Sequence, residues 1–182
     1  NTTMIRNTAV TVCGPLNVNK LGVTYVHEHL MVKPQLPDEY YIPYTLDDEA
    51  ASTEETRSFS AAGGETLVEM TPINYGRNVK AYQRIAQATG VHVICCTGFH
   101  KQLFMPPWFG DKTDGELYDI LMNEVTNGLD DTEIHPGVIK LGTSFEEVTD
   151  AEKRSIEAVA RVHRDTGIPI STHCDKGTMG MD

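Results

Sequence analysis

Short apolar runs alternate with longer amphipathic ones along most of the chain. Residues 10–18, around Gly14-Pro15, predict a short strand pair or turn ahead of the main fold. Residues 22–29, 66–70, 91–97, 137–141 and 168–173 are strand candidates, short and largely apolar. Helical patterns lie between them. Val79, Tyr82, Ile85 and Ala86 form one stripe over residues 77–89, and Gly90 can stop that helix. Thr113 and Glu116 have capping-box spacing, followed by Leu117, Ile120, Leu121 and Val125 on one face and Gly128 as a stop. Thr149 and Glu152 repeat the box; Ile156, Val159, Ala160 and His163 follow on one face, and Gly167 closes the helix. Residues 47–62 read as a further helix, residues 30–46 and 98–112 as long loops, and another helix is expected to begin near Asp182.

Strands alternating with helices of this length predict βα units and a parallel sheet. Apolar strands suit a sheet covered by helices on one side and filled by a core on the other. No glycine-rich dinucleotide fingerprint follows any strand, which weighs against an open doubly wound sheet. The polar residues at the strand C-terminal ends are His27, His29, Glu69, Thr97, Lys140 and His173. A (β/α)8 barrel places its active site on that face. Such barrels usually need about 250 residues, and about five βα units are visible. The chain is therefore read as the N-terminal part, residues 1–182, of a single (β/α)8 TIM barrel, an α/β fold left incomplete here. Residues 1–20 form a strand or turn segment before the first barrel strand.

Composition changes this picture little. Hydrophobic residues at 40% and charged residues at 23% are ordinary for a globular domain with a real core. The net charge of −11, with Lys and Arg scattered, predicts no nucleic-acid partner. No stretch reaches membrane-spanning length, and no signal-peptide pattern is visible. The first residue is Asn1, so the native start is expected upstream. Cys13, Cys95, Cys96 and Cys174 form no CxxC motif; the adjacent pair reads as reduced and buried, which predicts a cytoplasmic protein.

Candidate chemistry sits at the strand ends. His27 and His29 are two apart on a strand, so they share a face and can chelate one ion, with Glu28 turned to the outer layer. Two unrelated histidines in a polar strand end is the plainer reading. Lys140 interrupts the apolar run Gly137-Val138-Ile139-Lys140-Leu141, a costly position for a cation. Either its amine reaches solvent or a carboxylate, or burial depresses its pKa so that the neutral amine adds carbon dioxide and the carbamate bridges two metals. His173 shares a face with Ser171 at the same sheet edge and is a candidate ligand of a second metal.

Gly14-Pro15, the run from Leu21 through Val26-His27-Glu28-His29 to Leu30, Tyr75-Gly76-Arg77-Asn78, Thr97-Gly98-Phe99, Gly137-Val138-Ile139-Lys140 and Thr172-His173 together resemble the phosphotriesterase family of the amidohydrolase superfamily. The stretches around Met70-Thr71-Pro72 and Lys176-Gly177-Thr178-Met179-Gly180 look most like its lactonase-type branch. The resemblance implies a metal-dependent hydrolase with two divalent ions, zinc first and manganese, cobalt or iron as alternatives. His27 and His29 would hold one ion, carboxylated Lys140 would bridge, and His173 would hold the other, with carbon dioxide needed for the lysine. The family adds a histidine from the sixth barrel strand and an aspartate from the eighth, which no position here matches.

The expected reaction is metal-activated hydroxide attack on lactones or related carboxylic esters, phosphorylated sugar lactones among them. A phosphotriester hydrolase and a non-catalytic fragment pairing with another chain are the alternatives. The expected partner is a small-molecule substrate, with no membrane; a homo-oligomer is left open. His100 and Lys101 are candidate substrate contacts, or else an exposed loop pair. Glu69 is a candidate acceptor orienting a ligand histidine, or else an ion-pair partner of Arg77. Phe104, Trp108 and Phe109 could line a pocket or simply pack the loop; His92, His135 and His163 read as structural, and Cys174 as facing away from the metals.

Overall fold

The apolar runs become strands of two sheets in the computed structural model, which describes residues 7–36 and 39–181. Residues 1–6 of the N-terminal segment, residues 37 and 38 of the first long loop, and Asp182 lie outside the described residues. Strands β1 (Thr8–Thr11) and β2 (Gly14–Asn17) pair antiparallel as a hairpin. Strands β3 (Thr24–Glu28), β4 (Thr66–Glu69), β5 (His92–Gly98), β6 (Val138–Thr143) and β7 (Ile170–Cys174) form one parallel sheet in chain order. Helices α1 (Glu49–Ala61), α2 (Val79–Thr89), α3 (Asp114–Asn127) and α4 (Asp150–Thr166) fill the crossovers. This is the repeating unit of a (β/α)8 barrel, curled and partial.

Both capping boxes form, with Thr113 and Thr149 each accepting from the backbone of the glutamate three residues on. Gly90 and Gly167 end α2 and α4 in the left-handed conformation, at φ 76° and 72°. On α2 the buried stripe is the expected one, joined by Ala81. On α4 it is met only in part: Val159 is buried and Ile156 packs against the same core, but Ala160 and His163 are exposed, and Glu152, Ser155, Ala158 and Val162 are buried instead. The small residues Ser155 and Ala158 let the helix lie close on the sheet, and His163 Nδ1 meets the Ile168 carbonyl oxygen at 2.7 Å. After β7 comes a single 3-10 turn, Asp175–Gly177, with Lys176 at φ 49°, and the helix expected to begin near Asp182 falls outside the described residues.

The sheet has two apolar faces. Leu67, Val93 and Cys95 pack outward against Val79, Tyr82, Ile85 and Ala86 of α2. Ile139 and Leu141 pack against α3 and α4 through Leu117, Leu121, Val159 and Val162. On the inner face Met70, Ile94, Cys96 and Val138 meet, with Ala9 and Leu21 closing the strand N-terminal end. The adjacent cysteines thus point to opposite layers, and both are free and buried. Among the described residues, no helix is long and apolar enough to cross a membrane.

Candidate metal centre

β3 carries an irregularity that decides where its histidines point. Tyr25 pairs with Leu67 and Glu28 with Glu69, so three steps on β3 match two on β4. One extra residue bulges between them. Leu67 and Glu69 share the helix-covered face, so Tyr25 and Glu28 do too, despite their odd separation. His27 and His29, flanking Glu28, are thereby turned to the inner face. In a regular strand His27 would have stood opposite Glu69, on the helix side. The two rings lie 5.4 Å apart. Glu28 Oε1 accepts from the His29 backbone N–H at 2.9 Å, which steadies the strand end.

Lys140 is fully buried on the inner face of β6, and its amine donates to the Met70 carbonyl oxygen at 2.6 Å. Burial pushes its pKa down, opposed by Cys96 and Glu69. β5 comes very close at this level: Gly98 pairs with Lys140, has φ 109°, and a Cβ there would sit 2.0 Å from the Lys140 carbonyl oxygen. Two residues on, Gly142 pairs with His173 and leaves room for the loop after β5, since a Cβ there would lie 2.6 Å from the Lys101 nitrogen.

That loop brings His100 to the rim. His100 is buried, not an exposed loop residue, and its ring lies 4.5 Å from that of His173 and 4.8 Å from that of Tyr75. His100 Nδ1 accepts the Lys101 backbone N–H at 2.7 Å, so in the neutral ring the proton sits on Nε2. Lys101 Nζ pairs with Asp175 Oδ2 at 2.7 Å, and Asp175 Oδ1 lies 3.7 Å from His173 Nε2. His173 Nε2 itself is shielded from solvent and makes no hydrogen bond. A basic nitrogen so placed fits a metal ligand.

Electrostatics keep these rings neutral, the form that ligates. Loss of hydration, then the charges of Lys140 and His173, hold His27 down at about 4. Deeper burial, with Lys140, His27 and His173, takes His29 to about 3. His173 is lowered mainly by burial and by Lys140, and His100 is lowered further still, chiefly by burial. Glu69 faces the other way. It is fully buried, accepts from the backbone N–H groups of Leu30 and Thr71, and is pushed up to about 7 by burial against those hydrogen bonds. Its anticipated partner Arg77 instead binds Glu124 and Asp130. Among the described residues, no three His, Cys, Asp or Glu side chains group tightly enough to hold an ion on their own.

The sequence profile of the phosphotriesterase family matches residues 7–182. The chain belongs to the phosphotriesterase family. It falls in the lactonase-like branch of that group within the amidohydrolase superfamily. It is 32% identical to the phospho-furanose lactonase of Mycoplasmopsis synoviae over 96% of this chain and 54% of that protein. The crystal structure of a lactonase from Listeria monocytogenes superposes with a TM-score of 0.87 at 31% identity, over 95% of this chain and 58% of that one. The organophosphorus hydrolase of Deinococcus radiodurans gives a TM-score of 0.80 at 34% identity, over 92% and 53%. The chain thus spans about half the length of the relatives it matches. Phosphotriesterase-family membership makes it part of a metal-dependent hydrolase family.

Within this phosphotriesterase-family site, three contributors were not singled out from sequence. Thr71 stands between His29 and Glu69, Tyr75 packs edge-on to His29 and tilted against His100, and Asp175 anchors Lys101 beside His173. Thr71 and Asp175 each follow a flagged residue, Glu69 and His173, by two positions, which was the available signal.

Proposed function

We propose that the full-length protein is a binuclear metal-dependent hydrolase of lactones or related carboxylic esters, with phosphorylated sugar lactones as favoured substrates. The observation that carries this reading is the convergence of neutral His27, His29 and His173 with the buried Lys140 at one rim of the sheet. His27 and His29 would hold one divalent ion, zinc by preference, and His173 the other. Among the described residues, Glu69 is held by the Leu30 and Thr71 N–H groups and Asp175 is paired with Lys101. An anionic bridge would come from Lys140, as the family resemblance implies. Its neutral amine attacks the carbon of carbon dioxide, a C–N bond forms, and one N–H proton leaves to water. The remaining N–H would keep the Met70 carbonyl as its acceptor. When bound, the two ions would lower the pKa of water and polarise the scissile carbonyl.

The chain's own residues would position the ester. The Nε2–H of His100 can donate to a substrate oxygen, and Lys101, beside Asp175, lies where an anionic substituent would reach. A phosphotriester substrate is the second reading, favoured by similarity to the organophosphorus hydrolase. The further ligands implied by the family, and activity itself, belong to the whole protein.

The test is reconstitution of the full-length protein with zinc or manganese plus bicarbonate. About two metal equivalents, the mass of one carbon dioxide on Lys140, and turnover of a lactone panel above organophosphates are expected. No bound metal after reconstitution would refute the reading; faster organophosphate turnover would select the second.

A further inference from the structure

Thr71 is fully buried and lies on neither strand nor helix, directly after β4. Its hydroxyl donates to Glu69 Oε1 at 2.6 Å and meets His29 Nδ1 at 2.8 Å. Glu69 Oε1 also receives the Leu30 N–H at 3.2 Å, and Oε2 receives the Thr71 N–H at 3.1 Å. The three hydrogen bonds to this carboxylate thus all come from donors. A hydroxyl has one proton to give. With that proton directed at Glu69, Thr71 can only accept from His29.

We infer that Thr71 and Glu69 are a positioning pair that locks His29 as the Nδ1–H tautomer, leaving its Nε2 lone pair free for a metal. The inference rests on the two-metal reading for its consequence, but the tautomer itself is a property of the metal-free protein. Glu69 does not bind His29 directly: its Oε1 lies 3.9 Å from His29 Nδ1, too far for a hydrogen bond. Thr71 fills that gap. A serine would keep the hydroxyl; a valine would keep the shape and lose both hydrogen bonds.

The experiment uses the full-length protein, labelled with nitrogen-15 histidine, as wild type, Thr71→Ser and Thr71→Val. Two-bond nitrogen–proton spectra of the metal-free protein report the His29 tautomer, and chelator competition reports zinc affinity. The Nδ1–H pattern is expected in wild type and Thr71→Ser. Thr71→Val should lose it and weaken zinc binding by about 10–100-fold, the usual loss for such an outer partner, while its apo melting transition stays cooperative. An Nε2–H pattern in wild type would overturn the inference, as would unchanged zinc affinity in a folded Thr71→Val. Wild type that binds no zinc would instead sink the two-metal reading, and the tautomer pattern would still decide the present one. If Thr71→Val fails to fold, Thr71→Ala replaces it, with the same tautomer loss expected and the same pattern retained as the overturning result.

Discussion

Replacing Arg77 with Met tests how the loop after β4 is held to the end of β5. All five guanidinium N–H groups are used. They reach Glu124 at 2.6 and 3.0 Å, Asp130 at 2.6 and 2.9 Å, and the Cys96 carbonyl at 3.2 Å. The Arg77 side chain is 4% exposed, Glu124 14% and Asp130 42%. The Asp130 pair is therefore solvent-screened and contributes at most about 1 kcal/mol. The Glu124 pair is the large one. Without Arg77, the Glu124 carboxylate keeps only the Thr97 hydroxyl at 2.6 Å as a side-chain donor. Orphaning a buried charge costs about 3–5 kcal/mol, and Met preserves most of the apolar stem.

Arg77→Met should then lower the urea-unfolding free energy by about 3–5 kcal/mol. Arg77→Met with Glu124→Met should recover part of that, because the buried carboxylate is gone; Asp130 is exposed enough to be hydrated, and the Thr97 hydroxyl loses its partner at a cost of about 1–3 kcal/mol. Hydrogen exchange at residues 97–98 should rise in the single variant and fall back in the double. A single variant within about 1 kcal/mol of wild type, or a double variant less stable than the single, would refute this account.

Thr149→Ala removes the cap of α4 and should cost about 1 kcal/mol; amide exchange confined to the first turn of α4 checks it. Lys140→Met should lose the bridging ligand and hence activity, and its apo form should melt no lower than wild type because an amine in an apolar setting is replaced by an apolar chain; unchanged turnover would reject the carbamate. In acid, His27 and His29 are held at about 4 and 3, below the ordinary 6.5, so the unfolded chain takes up protons first. Their contribution is complete above pH 6.5 and is lost as pH falls toward 3. Glu69, raised from 4.5 to about 7, works in the opposite sense: its contribution is complete below 4.5 and lost as pH rises through 7. The melting temperature of the metal-free protein, measured against pH beside a His27→Asn/His29→Asn double variant, separates the two. Wild type should lose more stability than the variant on acidification, and parallel curves would contradict the assignment.

Local signals carried most of the architecture. The capping boxes at Thr113 and Thr149 and the glycine stops at 90 and 167 are legible because each depends on residues within one turn. The α4 face departs from the expected one at Ala160 and His163 because Ser155, polar in sequence, is buried where close approach matters more than hydrophobicity. The bulge in β3 left no mark, since Val26 and His27 look like ordinary strand residues. Arg77 illustrates the remaining limit: its partners lie 47 and 53 positions away, and only the crossover through β5 and α3 brings them together. Glu69 was visible as a candidate acceptor at a strand end, but the hydroxyl between it and His29 was not.

The sheet order β3-β4-β5-β6-β7 repeats the order of synthesis. Each strand that leaves the ribosome therefore meets a template already assembled by its predecessor, and no strand here has to be threaded between two earlier ones. Such step-by-step accretion keeps loop-closure costs small. It also means that a pause in translation leaves a growing edge exposed rather than a misplaced strand.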